Sequence, residues 1–158
     1  MDSSALYNFV TLSLTVIMSI RPAKISDTES ISKLMLELGY DVTESLIKDK
    51  LNEISKSDID EVYISDVDGI VVGCISCHLT QLFHKNGRAG RITSLVVSNT
   101  VRGLGVGKIL VEKADEYFQT NGCSKAEVTS GDHRLEAHQF YEAQGYQLNE
   151  RRFVKYYN

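Results

Sequence analysis

Proline occurs once, at Pro22, and no stretch is of low complexity or rich in glycine and serine, so nothing in the 158 residues marks a linker and one domain is expected. The absence of an internal repeat excludes a solenoid or a propeller. Basic residues do not dominate. Seventeen Lys and Arg against 21 Asp and Glu give a net charge of −4, which argues against a nucleic-acid partner, because a phosphate backbone selects a basic field. Any anion must then be held by particular groups. Cysteine is scarce and odd in number, three in all, which offers no disulfide framework and points to free thiols in a reducing compartment, with the cytoplasm expected. No run of about 20 apolar residues is present, so no membrane partner is expected. The alternation Val10, Leu12, Leu14, Val16 lacks the basic flank and cleavage site of a secretory signal and suits an extra strand. Residues 1–17 are therefore expected to be an N-terminal extension, and 18–158 the domain.

What the chain does have is an apolar, β-branched run that ends in glycine. Ile92 to Val97 reads as a strand, Gly103, Gly105 and Gly107 follow at every second position, and Val106, Ile109, Leu110, Ala114, Tyr117 and Phe118 restart with helical spacing as far as Gly122. Strand, turn and helix in this order make an anion site. The three glycines are expected to admit positive φ and close approach of a ligand, and the helix start presents unpaired N–H groups and a positive dipole end suited to phosphates. Two common phosphate loops fail here. A dinucleotide fingerprint would place its third glycine at Lys108, and a nucleotide P-loop would need glycine at Arg102 and a hydroxyl residue at Ile109.

Around this centre the elements alternate. A short strand from Met18 to Ala23 precedes a helix capped by Ser26 or Asp27, with Ile31, Leu34, Met35 and Leu38 on one face and Gly39 at its end; a second helix runs from Thr43 to about Lys56. Asp68-Gly69 turns a hairpin between Glu61–Asp66 and Ile70–Leu79, and Gln81 to Gly90 is a polar loop. Beyond the glycine turn and its helix come a strand over Ala126–Ser130, a helix from about His133 to Gln144, and two last strands, Tyr146–Glu150 and Arg152–Tyr157. Strands and helices interleaved in this way give an α/β sandwich around a mixed sheet.

Two metal or redox patterns dissolve on inspection. Cys74-Ile-Ser-Cys77-His78 matches a haem-attachment spacing, but in a strand an offset of three sends the cysteines to opposite faces, so both are read as buried small hydrophobes. His133 and His138 are five apart, not the i, i+4 of a zinc helix, and no metal is expected.

Leu95-Val-Val97 followed by Arg102-Gly-Leu-Gly-Val-Gly107, with Arg134, Ala137-His-Gln-Phe-Tyr-Glu142 and Gly145-Tyr146, resembles the GNAT superfamily of acetyl-coenzyme A-dependent N-acetyltransferases. The resemblance implies a GNAT-type mixed central sheet of about seven strands flanked by about four helices. It implies acetyl-coenzyme A as co-substrate, a small-molecule primary amine as acceptor, direct attack within a ternary complex, and a homodimer. By the same resemblance Arg102, Gly103, Leu104, Gly105, Val106, Gly107 and Lys108 hold the pyrophosphate, Leu95, Val96 and Val97 align the pantetheine, and Tyr141 is the general acid. A phenol, with an ordinary pKa of about 10, can protonate a departing thiolate. The strand glutamate that serves many members as base is missing, its places being taken by Arg91, Thr93 and Ser94, and Glu127, His84 and His78 stand as substitutes, the histidines favoured by their pKa near neutrality.

A closer likeness over residues 18–158 is to the aminoalkylphosphonate N-acetyltransferases, carried by His78-Leu79, Leu82-Phe83-His84, Ser94-Leu-Val-Val97, Arg134, Ala137-His-Gln-Phe-Tyr141 and Arg152-Phe153-Val-Lys155. The acceptor is expected to carry an anionic group, because Arg134, Arg151, Arg152 and Lys155 gather near the last helix and strands of an acidic chain, and guanidinium binds phosphonate or carboxylate bidentately. Two other readings stay open: a coenzyme A-binding sensor without catalysis, and an acetyltransferase acting on a protein amine.

Overall fold

The computed structural model describes residues 5–11 and 14–157. Its elements in chain order are β1 (Ala5–Thr11), β2 (Leu14–Pro22), α1 (Thr28–Leu38), α2 (Glu44–Ile54), β3 (Asp60–Val67), β4 (Ile70–Gln81), β5 (Arg88–Val97), α3 (Val106–Thr120), β6 (Cys123–Val128) and α4 (Leu135–Ala143). The strands lie side by side in sequence order, antiparallel from β1 to β5, and β6 joins β5 in parallel because α3 carries the chain back across the sheet.

Period-two alternation sends successive residues of each strand to two different cores. One face packs under α3, where Leu110, Ala114 and Phe118 meet Ile20, Ile75 and Ile92; the other packs under α1 and α2, where Ile31, Leu34 and Leu51 meet Ile64, Cys74 and Val96. Cys74 and Cys77 fall in opposite cores, as an offset of three in a strand requires. Burial raises both thiols, Cys74 to about 12, so neither is a ready nucleophile. Gly90 lets α3 come down onto β5: a Cβ there would lie 2.3 Å from the Phe118 ring.

Local signals set the boundaries. Thr43 Oγ1 accepts the Leu46 N–H to start α2, Gly39 ends α1 with φ +101°, and Asp68 and Gly69, at φ 50° and 84°, turn the β3–β4 hairpin. Asp27 stands at the cap of α1 but does not bond to it. Its carboxylate instead receives both Arg21 Nη groups at 2.7 and 2.9 Å and the Lys24 N–H at 2.8 Å.

Two expectations are corrected, on the strand count and on the polar loop. Among the described residues the sheet has six strands, not about seven, because Tyr146–Glu150 and Arg152–Tyr157 belong to no strand; strand-forming residues need a partner edge, and this segment meets none among the described residues. The polar loop is shorter than Gln81–Gly90, since Arg88–Gly90 already pair with β4. Residues ahead of Met18 form β1 and the start of β2, so β2 runs through the expected boundary at 17/18; Leu12 lies outside the described residues. Among the described residues no helix is long and apolar enough to cross a membrane.

Candidate active site

The sheet opens where its one parallel pair comes apart. β5 and β6 stay paired from Arg88 and Cys123 to Ile92 and Val128, after which β6 ends while β5 continues to Val97 beside β4. From Thr93 to Val97 one edge of β5 therefore has no strand partner among the described residues. A bulge marks the place: Ser76 opposes Ser94 and Cys77 opposes Ile92, so Thr93 is the extra residue. Three hydroxyls meet there, with Ser76 Oγ bonded to Ser94 Oγ at 2.8 Å and to Thr93 Oγ1.

Thr93, Ser94 and Leu95 form one wall of a pocket, Val128, Thr129 and Ser130 the facing wall, and Arg134 and Tyr141 of the α4 region close its end, with Tyr40 across from them. Its lining contains one cation and several hydroxyls but no carboxylate. The Ser130 Oγ is buried and has no hydrogen-bond partner among the described residues. A second hollow, lined by Gln81, Gly87, Arg88 and Thr120–Gly122, lies at the far end of β5 and holds none of the expected site residues.

Tyr141 is half-buried and stacks edge-to-face on Phe140 and Tyr146, with ring centres 5.2 and 5.7 Å away. Burial raises its pKa above the ordinary tyrosine value, and the nearby charge of Arg134 opposes part of that rise. Its hydroxyl makes no hydrogen bond among the described residues, which leaves the proton free for a ligand.

The glycine turn stands at the other end of the free edge. Gly103 and Gly105 have φ of +78° and +82°, and a Cβ on either would meet nothing within 4 Å, so the space over the turn is open. Gly105 is the N-cap of α3 and supplies no side-chain cap, and the first-turn N–H groups of Val106, Gly107 and Lys108 have no intrahelical acceptor. Open space, unclaimed N–H groups and the positive helix end together fit a pyrophosphate. Gly107 differs from the expectation: it lies within α3 without positive φ, and its missing side chain makes room for Phe140, whose ring is 3.3 Å from where a Cβ would be. That contact seats the first turn of α3 against α4, directly beside Tyr141. Arg102 turns back, its Nε donating to Val97 O at 3.3 Å, and Lys108 is exposed, 3.8 Å from Glu112. Leu104 is exposed on the turn, while Val96 points into the α1–α2 core and Val97 packs toward α3.

The three substitute bases differ in setting. His78 Nδ1 is 2.7 Å from Asp60 Oδ1, and Ser57 Oγ donates to the other Asp60 oxygen at 2.7 Å. Burial pushes the Asp60 pKa up, but the bonds from Ser57 and His78 more than offset this and hold it below the usual carboxylate value. Glu127 is committed to Lys125 at 3.2 Å and Arg91 at 3.7 Å. His84 is exposed in the β4–β5 loop. Of the expected anion-binding cations, only Arg134 lines the pocket; Arg151, Arg152 and Lys155 stand exposed on the C-terminal segment. Sequence reasoning missed the hydroxyl cluster, the unpartnered Ser130 and the Asp60–His78 pair. Thr93 and Ser94 were visible only as places without a glutamate, and Asp60 faces His78 through the β3–β4 register, which no local spacing reveals.

Compared with known proteins, residues 30–146 match the sequence profile described as the acetyltransferase (GNAT) family. The chain is 29% identical to the aminoalkylphosphonate N-acetyltransferase of Salmonella typhimurium, over 86% of this chain and 89% of that one. Among solved structures it is similar to glucosamine-6-phosphate N-acetyltransferase from Arabidopsis thaliana, with a TM-score of 0.77 and 27% identity over 89% of this chain and 99% of that one. It also shares its fold with an aminoglycoside N-acetyltransferase in complex with CoA, with a TM-score of 0.80 and 18% identity over 94% of this chain and 98% of that one.

Proposed function

Because the chain belongs to the GNAT acetyltransferase family, we propose that it moves acetyl from acetyl-coenzyme A to the primary amine of a small molecule that also carries an anionic group, with an aminoalkylphosphonate as the leading candidate. The observation that carries this reading is the pocket lining, in which Arg134 and hydroxyls are present and carboxylates are not. A guanidinium beside hydroxyls suits a phosphonate oxyanion, and Ser130 Oγ, without a partner among the described residues, has a hydrogen bond to give. A polycationic aminoglycoside would find no acidic wall. By their names the Salmonella relative acts on aminoalkylphosphonates and the Arabidopsis enzyme on a phosphorylated amino sugar, both amines bearing a phosphorus oxyanion.

Acetyl-coenzyme A supplies the activated thioester; the rest is positioning and proton handling by this chain. The N–H groups of Val106, Gly107 and Lys108 hold the pyrophosphate at the start of α3, and the unpaired β5 edge from Thr93 to Val97 offers backbone groups to the pantetheine amides. Tyr141, kept protonated by burial, delivers its proton to the departing sulfur. Of the three substitute bases, His78 is the one held in a single tautomer, since donation from Nδ1 to Asp60 leaves Nε2 as an acceptor, and it lies outside the pocket lining. It stands two residues along β4 from Ser76, which bonds to Ser94 on the pocket wall.

The test is a steady-state comparison of aminomethylphosphonate, a simple polyamine, an aminoglycoside and an N-terminal peptide as acceptors. The highest kcat/KM is expected for the phosphonate. Preference for the polyamine or the aminoglycoside overturns the acceptor assignment, and preference for the peptide favours a protein amine.

A further inference from the structure

The two histidines around the start of α4, five residues apart and without the spacing of a metal site, meet at one glycine. Gly131 to Arg134 is a tight turn, closed by the Arg134 N–H on the Gly131 carbonyl at 3.0 Å. The same carbonyl oxygen is 3.0 Å from His138 Nε2, and because a carbonyl can only accept, the ring nitrogen carries the proton and donates it. His133 covers the glycine itself: a Cβ on Gly131 would fall 2.9 Å from its Cε1 and 3.1 Å from its Nδ1. The turn has need of these contacts. Gly131, Asp132 and His133 are exposed, and Arg134, the N-cap of α4, makes no side-chain bond to its helix. A solvated turn held by one backbone bond opens readily, since the chain entropy regained outweighs the net gain from that bond.

What the turn carries gives the clamp its purpose. Ser130 stands immediately before it and Arg134 ends it, and both line the pocket. We infer that His138 is a positioning residue of the acceptor site: by gripping the turn 131–134 it sets Ser130 Oγ and the Arg134 guanidinium in one fixed arrangement for the anionic group of the amine. His138 is outside the pocket lining, so it acts through the turn and not by touch. One residue holds both ends, because the ring bonds to the Gly131 carbonyl while the His138 backbone N–H takes the Arg134 carbonyl at 3.1 Å. The helix is thereby the frame on which the turn is mounted, and Tyr141 stands on the same helix one turn further on. A paired guanidinium and hydroxyl bind an oxyanion well only when their spacing is fixed before the ligand arrives. The role assigned to the pair rests on the acetyltransferase reading; the clamp itself does not.

The experiment compares His138→Leu, His138→Gln and His138→Asn in the full chain. Glutamine sets its amide nitrogen near the place of Nε2, whereas that of asparagine is one methylene short and falls near Nδ1. His138→Leu is expected to speed hydrogen exchange at the Arg134 amide about tenfold, in protein without any substrate. It is expected to raise KM for aminomethylphosphonate roughly three- to tenfold, the scale of one neutral hydrogen bond, with kcat and the calorimetric affinity for coenzyme A within about twofold of wild type. His138→Gln is expected to restore both the slow exchange and the low KM, and His138→Asn neither. An Arg134 amide indifferent to His138→Leu overturns the clamp, and an unchanged KM beside a faster amide overturns its role in the acceptor site. Equal rescue by glutamine and asparagine, or rescue by neither, overturns it as well, because reach to the carbonyl is then not what counts. A joint loss of kcat and coenzyme A affinity marks general damage and also counts against it. A wild-type chain that never acetylates aminomethylphosphonate brings down the acceptor reading and this role together, whereas one that does, with His138→Leu unchanged, brings down the role alone.

Discussion

Replacing Tyr141 by phenylalanine removes one hydroxyl and little else. The ring keeps its edge-to-face contacts with Phe140 and Tyr146, and because the hydroxyl bonds to nothing among the described residues, no buried partner is left unsatisfied. Folding stability is therefore expected to change by less than about 1 kcal/mol, the scale of one net hydrogen bond. Catalysis is another matter. A positioned general acid contributes roughly 10²–10⁴-fold, so kcat is expected to fall by that factor while the affinity for coenzyme A is unchanged. At about 1.36 kcal/mol per decade this is ~2.7–5.4 kcal/mol of transition-state stabilisation, several times the stability change, and that ratio separates an acid from a core aromatic. The pH profile gives an independent reading. Burial holds the Tyr141 pKa above the ordinary tyrosine value, so the proton donor is present throughout the neutral range and the wild-type rate is lost only as pH rises through that elevated pKa. The variant has no such alkaline limb from this residue. Thiol release measured by a chromogenic disulfide, across pH, with thermal melts as control, is the assay. A variant turning over at the wild-type rate with the wild-type pH profile refutes the general-acid role.

Arg134→Gln is expected to raise KM for an anionic amine about tenfold or more, since a charge-assisted bond contributes ~1.5–3 kcal/mol, while a neutral amine is unaffected; equal effects on both acceptors contradict the pocket reading. Gly105→Glu places a side chain at φ +82° and a carboxylate at the start of α3, where a Cβ meets open space, so coenzyme A binding by calorimetry should weaken more than tenfold in a folded protein. Gly90→Ala drives a Cβ to within 2.3 Å of the Phe118 ring and is expected to cost ~1–3 kcal/mol in denaturant unfolding, with an unchanged midpoint contradicting the packing. Burial alone would raise the Asp27 pKa, but the bonds from Arg21 and Lys24 outweigh it and leave it depressed. Its contribution is therefore full above the unfolded carboxylate pKa of about 4 and disappears as pH falls through the lower folded value, and Asp27→Asn should flatten that acid dependence of stability.

Local chemistry wrote most of the fold. Asp68-Gly69, Thr43 and Gly39 each act within a few residues of themselves, and the two-fold alternation of β4 already separates Cys74 from Cys77. The candidate site could be proposed from sequence where its parts are contiguous: the turn from Arg102 to Lys108, and Arg134 at the start of the helix that carries Tyr141. What stayed hidden depends on register between strands. Asp60 reaches His78 only because β3 and β4 pair as they do, and Thr93 joins Ser76 only through a bulge. Gly107 was misjudged for a related reason, since its lack of a side chain answers to Phe140 on a helix more than thirty residues away. The C-terminal segment has strand composition, yet it forms no strand among the described residues.

The central claim is that the chain transfers acetyl directly to a small amine, with both ligands meeting where β5 and β6 part. Incubating the protein with acetyl-coenzyme A, with and without aminomethylphosphonate, and following free thiol, the acetylated amine and the intact protein mass in one reaction tests it most directly. One thiol released per acetylated amine, no release without the amine and no mass gain on the protein are the predicted results. Thiol release that ignores the amine, an acetylated protein, or bound coenzyme A that never turns over with any amine would contradict the account.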